Sequence, residues 1–252
     1  MSRITELYES AIKPLGNPEC RSVLGNEKYV FAGGVVAAFE CKLTLRTSDI
    51  KRAFSTASIV KRKAPTRLGT PYDELNGAPI FGLLAHSKSL GNDQGWHRLY
   101  DAVQKYAAET SDHPRELLDV ICVADTATIA LGKHVLVGKG LSEQELQELN
   151  EIGEQSAVAA MYVVQDEAKR HVDLDFSGAI LAGLVYDLTY RMAFDDPTIR
   201  PWADHLSGLG FYGGIGIPLY CSEEVLSDEV RQRLKHDGAS KDHWSKWNRN
   251  LP

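Results

Sequence analysis

Apolar and polar positions along this chain follow two different periods. The run VVAAFECKLTL (residues 35–45) has the apolar density of a buried strand, yet Glu40 and Lys42 stand one residue apart near its end. The period then changes. In DIKRAFSTASIVKR, Ile50, Ala53, Phe54, Ala57 and Val60 recur at three- and four-residue intervals, which predicts a helix with Thr47 or Ser48 as its N-cap. A strand is expected over Ala78–Ser87 and an amphipathic helix over Gly95–Glu109, ended by TSDHP. ELLDVICVAD (Glu116–Asp125) reads as the most deeply buried strand. TIALGKHVLVGKG reads as a hairpin with Gly132 and Lys133 in its turn.

The second half predicts helices. SEQELQELNEIGEQ opens on a capping-box pattern, Ser142 with Glu145 three residues on. Asp175–Phe194 is a long, mostly apolar helix expected to pack on the sheet, and SEEVLSDEVRQRL (Ser222–Leu234) is a charged one. The first 30 residues show no clear period. Strand–helix–strand–helix order predicts an α/β fold around one central sheet. A single domain over 1–252 is expected, with a core over about 1–140 and a helical extension over about 141–252.

Composition narrows the classes. The chain is 43% hydrophobic and 25% charged, as in soluble globular proteins, and its net charge is −6. It therefore lacks the global basic signature of a nucleic-acid binder, although a local patch can supply one. Cys20, Cys41, Cys122 and Cys221 form no CxxC or Cys/His pair at zinc spacing. MSRITELYES does not read as a signal peptide, and no apolar run approaches the roughly 20 residues of a membrane span. A cytoplasmic protein is expected.

Glu40 and Lys42 change the picture. Side chains alternate across a strand, so these two share a face with Val36 and Ala38, while Cys41 points the other way. Their α-carbons lie roughly 6.5 Å apart at about 3.3 Å per residue. The carboxylate can hold a hard divalent cation; the ammonium beside it can orient a water and offset charge developing on a phosphate. A plainer reading makes them solvated strand-end residues. Between Lys42 and Arg67 the chain gathers Arg46, Lys51, Arg52, Lys61, Arg62 and Lys63, with Asp49 as the only acidic residue. Such a patch is the footprint expected of phosphate contacts, or else a solvated helix face.

GGVVAAFECKLTLRTSDIKRAFSTASIVKR resembles the core segment of the PD-(D/E)XK nuclease superfamily, whose fold is restriction-endonuclease-like and in which a strand ending in Glu-x-Lys leads into a helix packed on the sheet. Within it, VVAAFECKLTL and DIKRAF are similar to an uncharacterised bacterial branch, a domain of unknown function, and LLDVICVAD and GGIGIPLY fit that branch too. The resemblance implies a Mg²⁺-dependent nuclease acting on DNA. Glu40 would ligate the metal, Lys42 would act as the second catalytic residue, and Lys51, Arg52, Lys61, Arg62 and Lys63 would contact the nucleic-acid backbone. The superfamily also places an Asp on the preceding strand, but no Asp occurs before Glu40. Two explanations stand. Either the chain is an amino-terminally shortened version, or Glu6 or Glu9 near LYES takes the Asp's place from a shifted register, with Glu6 as the metal ligand.

The remaining signals are thinner. The eight histidines offer no metal spacing; His86, His97 and His113 read as packed, capping and turn residues. Asp119 and Asp125 flank the VICVA core as strand-end residues. GGIGIP lacks the strand, the helix start and the distant acid of a dinucleotide fingerprint, and there is no GxSxG. KDHWSKWNRN mixes aromatic and basic residues and reads as a polar tail. Two alternatives to a DNA hydrolase follow. One is an inactive nuclease-fold module that binds nucleic acid or protein. The other is a protein that works through its apolar helical half, for instance as a homodimer.

Overall fold

The change of period near residue 46 is a true strand-to-helix junction in the computed structural model, which describes residues 35–76, 79–91, 96–111, 113–137, 156–165, 179–207 and 216–237. Strand β1 (Ala37–Leu45) runs on past Glu40 and Lys42, and helix α1 (Thr47–Lys63) follows at once. Its capping oxygen comes from Asp49 rather than from Thr47 or Ser48: Asp49 Oδ2 accepts from the Arg46 N–H at 3.0 Å. A carboxylate there also suits the positive end of the helix.

Next come α2 (Pro71–Leu75), β2 (Ile80–Lys88), α3 (His97–Thr110), β3 (Val120–Val123) and β4 (Ala127–Val137). They are followed by β5 (Ser156–Gln165), α4 (Ala179–Asp195), α5 (Arg200–Ser207), β6 (Pro218–Cys221) and α6 (Asp228–Asp237). The six strands form one sheet in the order β1-β2-β3-β4-β5-β6. β1, β2 and β3 are parallel, and β3 to β6 are successively antiparallel. Parallel neighbours need long crossovers, which α1 and α3 provide. The fold is α/β, a mixed sheet flanked by helices.

Gly132 and Lys133 do not form the expected turn. β4 passes straight through them, paired with Met161 and Ala160 of β5. The tight connection lies earlier, between β3 and β4, where Thr126 N–H donates to Val123 O at 2.9 Å. β5, a strand that the apolar pattern did not predict, and β6 join α4, α5 and α6 in the second half. All of SEQELQELNEIGEQ and the first four residues of Asp175–Phe194 lie outside the described residues. Ser222–Leu234 is not one helix. A 3₁₀ turn (Glu223–Val225) precedes α6, and the carboxylate of buried Glu74 of α2 accepts from Ser227 N–H and from Ser227 Oγ–H, each at 2.6 Å.

Both sheet faces are covered. On one, Ile50, Ala53, Phe54, Ala57 and Val60 of α1 and Leu99 and Val103 of α3 pack on Phe81, Leu83, Ile121, Ile129 and Tyr162. On the other, Ile180 and Leu184 of α4 meet Val120, Cys122 and Ala130. All four residues of β3 are buried because both of its faces are covered. Gly82 makes this packing possible: a Cβ there would lie 2.6 Å from Phe39 Cδ1 and 2.8 Å from Val120 Cγ1. The cross-strand Phe39 ring occupies that space.

The residue before β3 carries the densest charge in the interior. Asp119 is fully buried, as are Lys61 of α1 and Lys133 of β4. Asp119 Oδ2 pairs with Lys61 Nζ and accepts from Phe81 N–H at 2.8 Å. Oδ1 meets Lys133 Nζ at 3.4 Å and Arg191 of α4 at 3.2 Å. Lys61 also donates to Leu117 O at 2.7 Å, and Tyr162 O–H to Leu118 O at 2.6 Å. Burial alone would raise the Asp119 pKa, but Lys61, Arg191 and Lys133 hold it far below the usual range. Burial lowers Lys61 to about 8 despite Asp119, and lowers Lys133 well below its ordinary value. One carboxylate thus serves three cations. The second acid is Asp187, one helical turn before Arg191, whose pKa burial raises to about 7. Among the described residues its Oδ2 and Arg191 Nε are buried without a hydrogen-bond partner.

Removing one partner from a buried charge network leaves the others uncompensated. Asp119→Ala should cost about 3–5 kcal/mol, measured by urea unfolding. For Asp187 the raised pKa means that the native state binds a proton more tightly than the unfolded chain between its ordinary value of 3.8 and about 7. Stability should therefore fall as pH rises through that window. Asp187→Asn should abolish this slope, stabilising the protein by more than about 1 kcal/mol at pH 8 and little at about pH 3.5. Unfolding curves at both pH values check it.

Candidate functional site: the Glu40–Lys42 face

β1 is paired with β2 alone among the described residues, and the two run in parallel register with Glu40 beside Leu83, Lys42 beside Ala85 and Thr44 beside Ser87. Alternation puts Glu40, Lys42 and Thr44 on the α1 side of the sheet, continuing the face of Ala38, which packs into the α1–α3 core. The face is apolar where it starts and charged where it ends. Cys41 is exposed on the other side.

The two charges meet. Lys42 Nζ lies 3.4 Å from Glu40 Oε2, with 9% of the Glu40 side chain and 22% of the Lys42 side chain exposed. They neither diverge into solvent nor close into the core. A third group joins from α1: Arg52 Nε is 3.6 Å from the same Glu40 oxygen, and its Nη2 is 3.3 Å from Asp49 Oδ1. Both contacts to Glu40 are longer than a hydrogen bond, so its carboxylate is held by charge more than by directed bonds. Further along, Thr44 Oγ1 and Ser87 Oγ are 3.2 Å apart and exposed, and Ser87 O–H donates to Leu43 O. Hydroxyls and cations thus line the carboxyl ends of a parallel strand pair, where ligands commonly bind in α/β sheets.

The basic segment divides. Lys51, Arg52 and Lys63 are exposed on α1. Arg62 is largely exposed but engaged, its guanidinium reaching Glu116 Oε2 at 2.7 Å, where Ser58 and Ser111 hydroxyls also donate. Burial would raise the Glu116 pKa, yet these donors, Arg62 first, hold it below its ordinary value. Lys61 has no exposed surface and is spent on Asp119, so it corrects the expectation of a phosphate contact. The signal was in the spacing. Lys61 stands seven residues after Phe54 and four after Ala57, on the stripe that goes inward.

Asp119 stands apart from this pair. Leu83, level with Glu40, is level in turn with Ile121, so Asp119 lies two residues nearer the opposite end of the strands. Glu6, Glu9 and the LYES segment fall outside the described residues, as does KDHWSKWNRN. Among the described residues no group of three or more His, Cys, Asp or Glu side chains gathers as a metal site. Glu40 is thus the single carboxylate at this place, and a cation there would have to take its other ligands from water and phosphate. Arg52, with 55% of its side chain exposed, has room to leave that oxygen. No helix among the described residues is long and apolar enough to cross a membrane.

No family model and no curated protein matches the chain. Among solved structures it is similar to the cAAA-bound form of NucC from P. aeruginosa, at 18% identity and a TM-score of 0.32. The match covers 62% of this chain and 52% of that one, so it spans about half the length of NucC. At that identity and score the likeness assigns neither chemistry nor ligand.

Proposed function

We propose that the protein is a nuclease-like phosphodiester hydrolase that acts on DNA with Mg²⁺. The observation that supports this reading is the Glu40–Lys42 pair, side by side on one face in the middle of β1, with 3.4 Å between amine and carboxylate. Glu40 would hold the cation, which when bound supplies Lewis-acid polarisation of a phosphate oxygen. Lys42 would stand beside the place where a phosphate gains negative charge, and its N–H groups can orient an attacking water. Lys51, Lys63 and Arg52, exposed along α1, supply charge for the backbone, with Arg62 at the margin. None of these reads a base, so binding at this face would be independent of sequence.

A second reading has its own support. Glu40 Oε2 already faces two cations, and the described residues gather no metal cluster. On those grounds the chain is a catalytically inactive nuclease-fold module that binds nucleic acid or a protein partner.

Supercoiled plasmid separates the two. The hydrolase reading expects nicking that requires Mg²⁺ and falls about 10²–10³-fold in Lys42→Ala. Glu40→Gln should be equally inactive while changing stability by less than about 1 kcal/mol, since its ion pairs are long and reach partly exposed cations. Binding without cutting at any Mg²⁺ concentration would favour the module. The same plasmid, linearised, tests the basic face by titration at several salt concentrations. Lys51→Ala with Lys63→Ala should weaken binding and lower the salt slope by about one for each phosphate no longer neutralised. Lys61→Met should leave affinity unchanged and lower stability.

A further inference from the structure

Among the described residues β1 leaves one edge of the sheet open: it pairs with β2, and no described strand lies on its other side. It is nine residues long, whereas open edges are usually short, bent or guarded by an unanswered charge. Here the one lysine is matched by Glu40. On the side away from α1 the strand is also uncovered, with Cys41 exposed and Leu43 80% exposed. The backbone directions follow from the ladder. Val36 O accepts from Ile80 N–H at 2.9 Å, so Ala38, Glu40 and Lys42, at two-residue steps, also turn their N–H and C=O toward β2. Phe39 and Cys41, between them, present theirs to the open side. At Leu43 the carbonyl turns back and accepts from Ser87 O–H at 3.2 Å, which bounds the open stretch.

The edge is self-complementary. FECKL (Phe39–Leu43), read against a reversed copy of itself about Cys41, sets Glu40 opposite Lys42 on both sides of the centre and Phe39 opposite Leu43. We infer that β1 pairs antiparallel with β1 of a second copy of this chain, on a two-fold axis at Cys41, joining two six-stranded sheets into one. The two Cys41 residues exchange both N–H···O bonds, as their outward backbone groups allow. The Glu40–Lys42 oppositions fall in the flanking non-hydrogen-bonded positions, where side chains come closest. Charge also fixes the register. Sliding by two residues either way sets Glu40 against Glu40 or Lys42 against Lys42, and like charges directly opposite are destabilising. Glu40 can take the added cation, because Lys42 and Arg52 of its own copy both approach Oε2, which leaves Oε1. The contact is isologous, each copy giving the same surface, so it closes as a dimer.

Size-exclusion chromatography with light scattering on the full chain should give twice the 27.8 kDa chain mass. Glu40→Lys alone and Lys42→Glu alone set like charges opposite each other on both sides of the axis, and each should weaken self-association about tenfold or more. Mixing the two variants should restore it, because each then faces the opposite charge while neither regains its internal Glu40–Lys42 pair. A short bis-maleimide should join wild-type chains through Cys41, located by peptide mass spectrometry, since opposed hydrogen-bonded residues hold their α-carbons about 5.5 Å apart. Cys41→Ser should remain dimeric without being joined. Should a charge variant fail to fold, the Cys41 cross-link decides the matter. A monomeric wild type at high micromolar concentration, a dimer without the Cys41 cross-link, or folded variants that do not recover on mixing would overturn the pairing. In a monomer, slow thiol labelling of Cys41 would assign the edge to another segment of this chain. These measurements use neither metal nor nucleic acid, so their outcome is separate from that of the hydrolase reading.

Discussion

One buried carboxylate holds the two helical layers to the sheet. Asp119 takes Lys61 from α1, Lys133 from β4 and Arg191 from α4, and its backbone bonds to both Phe81 and Leu131. Apolar packing does not distinguish one sliding position of a helix from the next by much, whereas a desolvated cation tolerates few positions. The ion network therefore sets where α1 lies along the sheet. Because α1 also carries Arg52 and Asp49, the interior charge indirectly decides how the candidate site is furnished.

Two concentrations of charge thus lie two residues apart along the parallel strands and differ in kind. Around Asp119 every charged group except Asp187 is answered inside the protein, and burial shifts their titration strongly. Around Glu40 the ion pairs are longer and the cations partly exposed, so ionic strength and ligands can rearrange them. The first arrangement suits a lock, the second an exchange of partners. α1 spans both, with its stripe of Ile50, Phe54, Ala57 and Lys61 turned inward and Lys51, Arg52 and Lys63 outward.

Local pattern told much of this in advance where one face decides the outcome. The junction at residue 46, the helix of α1 and the buried β3 follow from short-range periodicity and from runs that only a covered strand sustains. Pattern misled where the outcome depends on distant partners. Gly132 and Lys133 look like a turn in isolation, yet β5 pairs with that stretch and Asp119 accepts the lysine. Ser156–Gln165 mixes small and apolar residues with no strict alternation, and only its place between β4 and β6 gives it a role.

For the site, residue order alone shows that Glu40 and Lys42 share a face, because side chains alternate along any extended backbone. It also determined that positive charge crowds the following helix. Which of those charges remain available was decided by tertiary structure alone. Lys61 and Lys63 are two residues apart, but one is enclosed against Asp119 and the other lies exposed on the surface of α1. Arg52 meets Glu40 only because the helix folds back over the strand that precedes it. Charge is written into the chain residue by residue. Its availability depends on desolvation and on partners dozens of residues away, which exist only once the layers have closed.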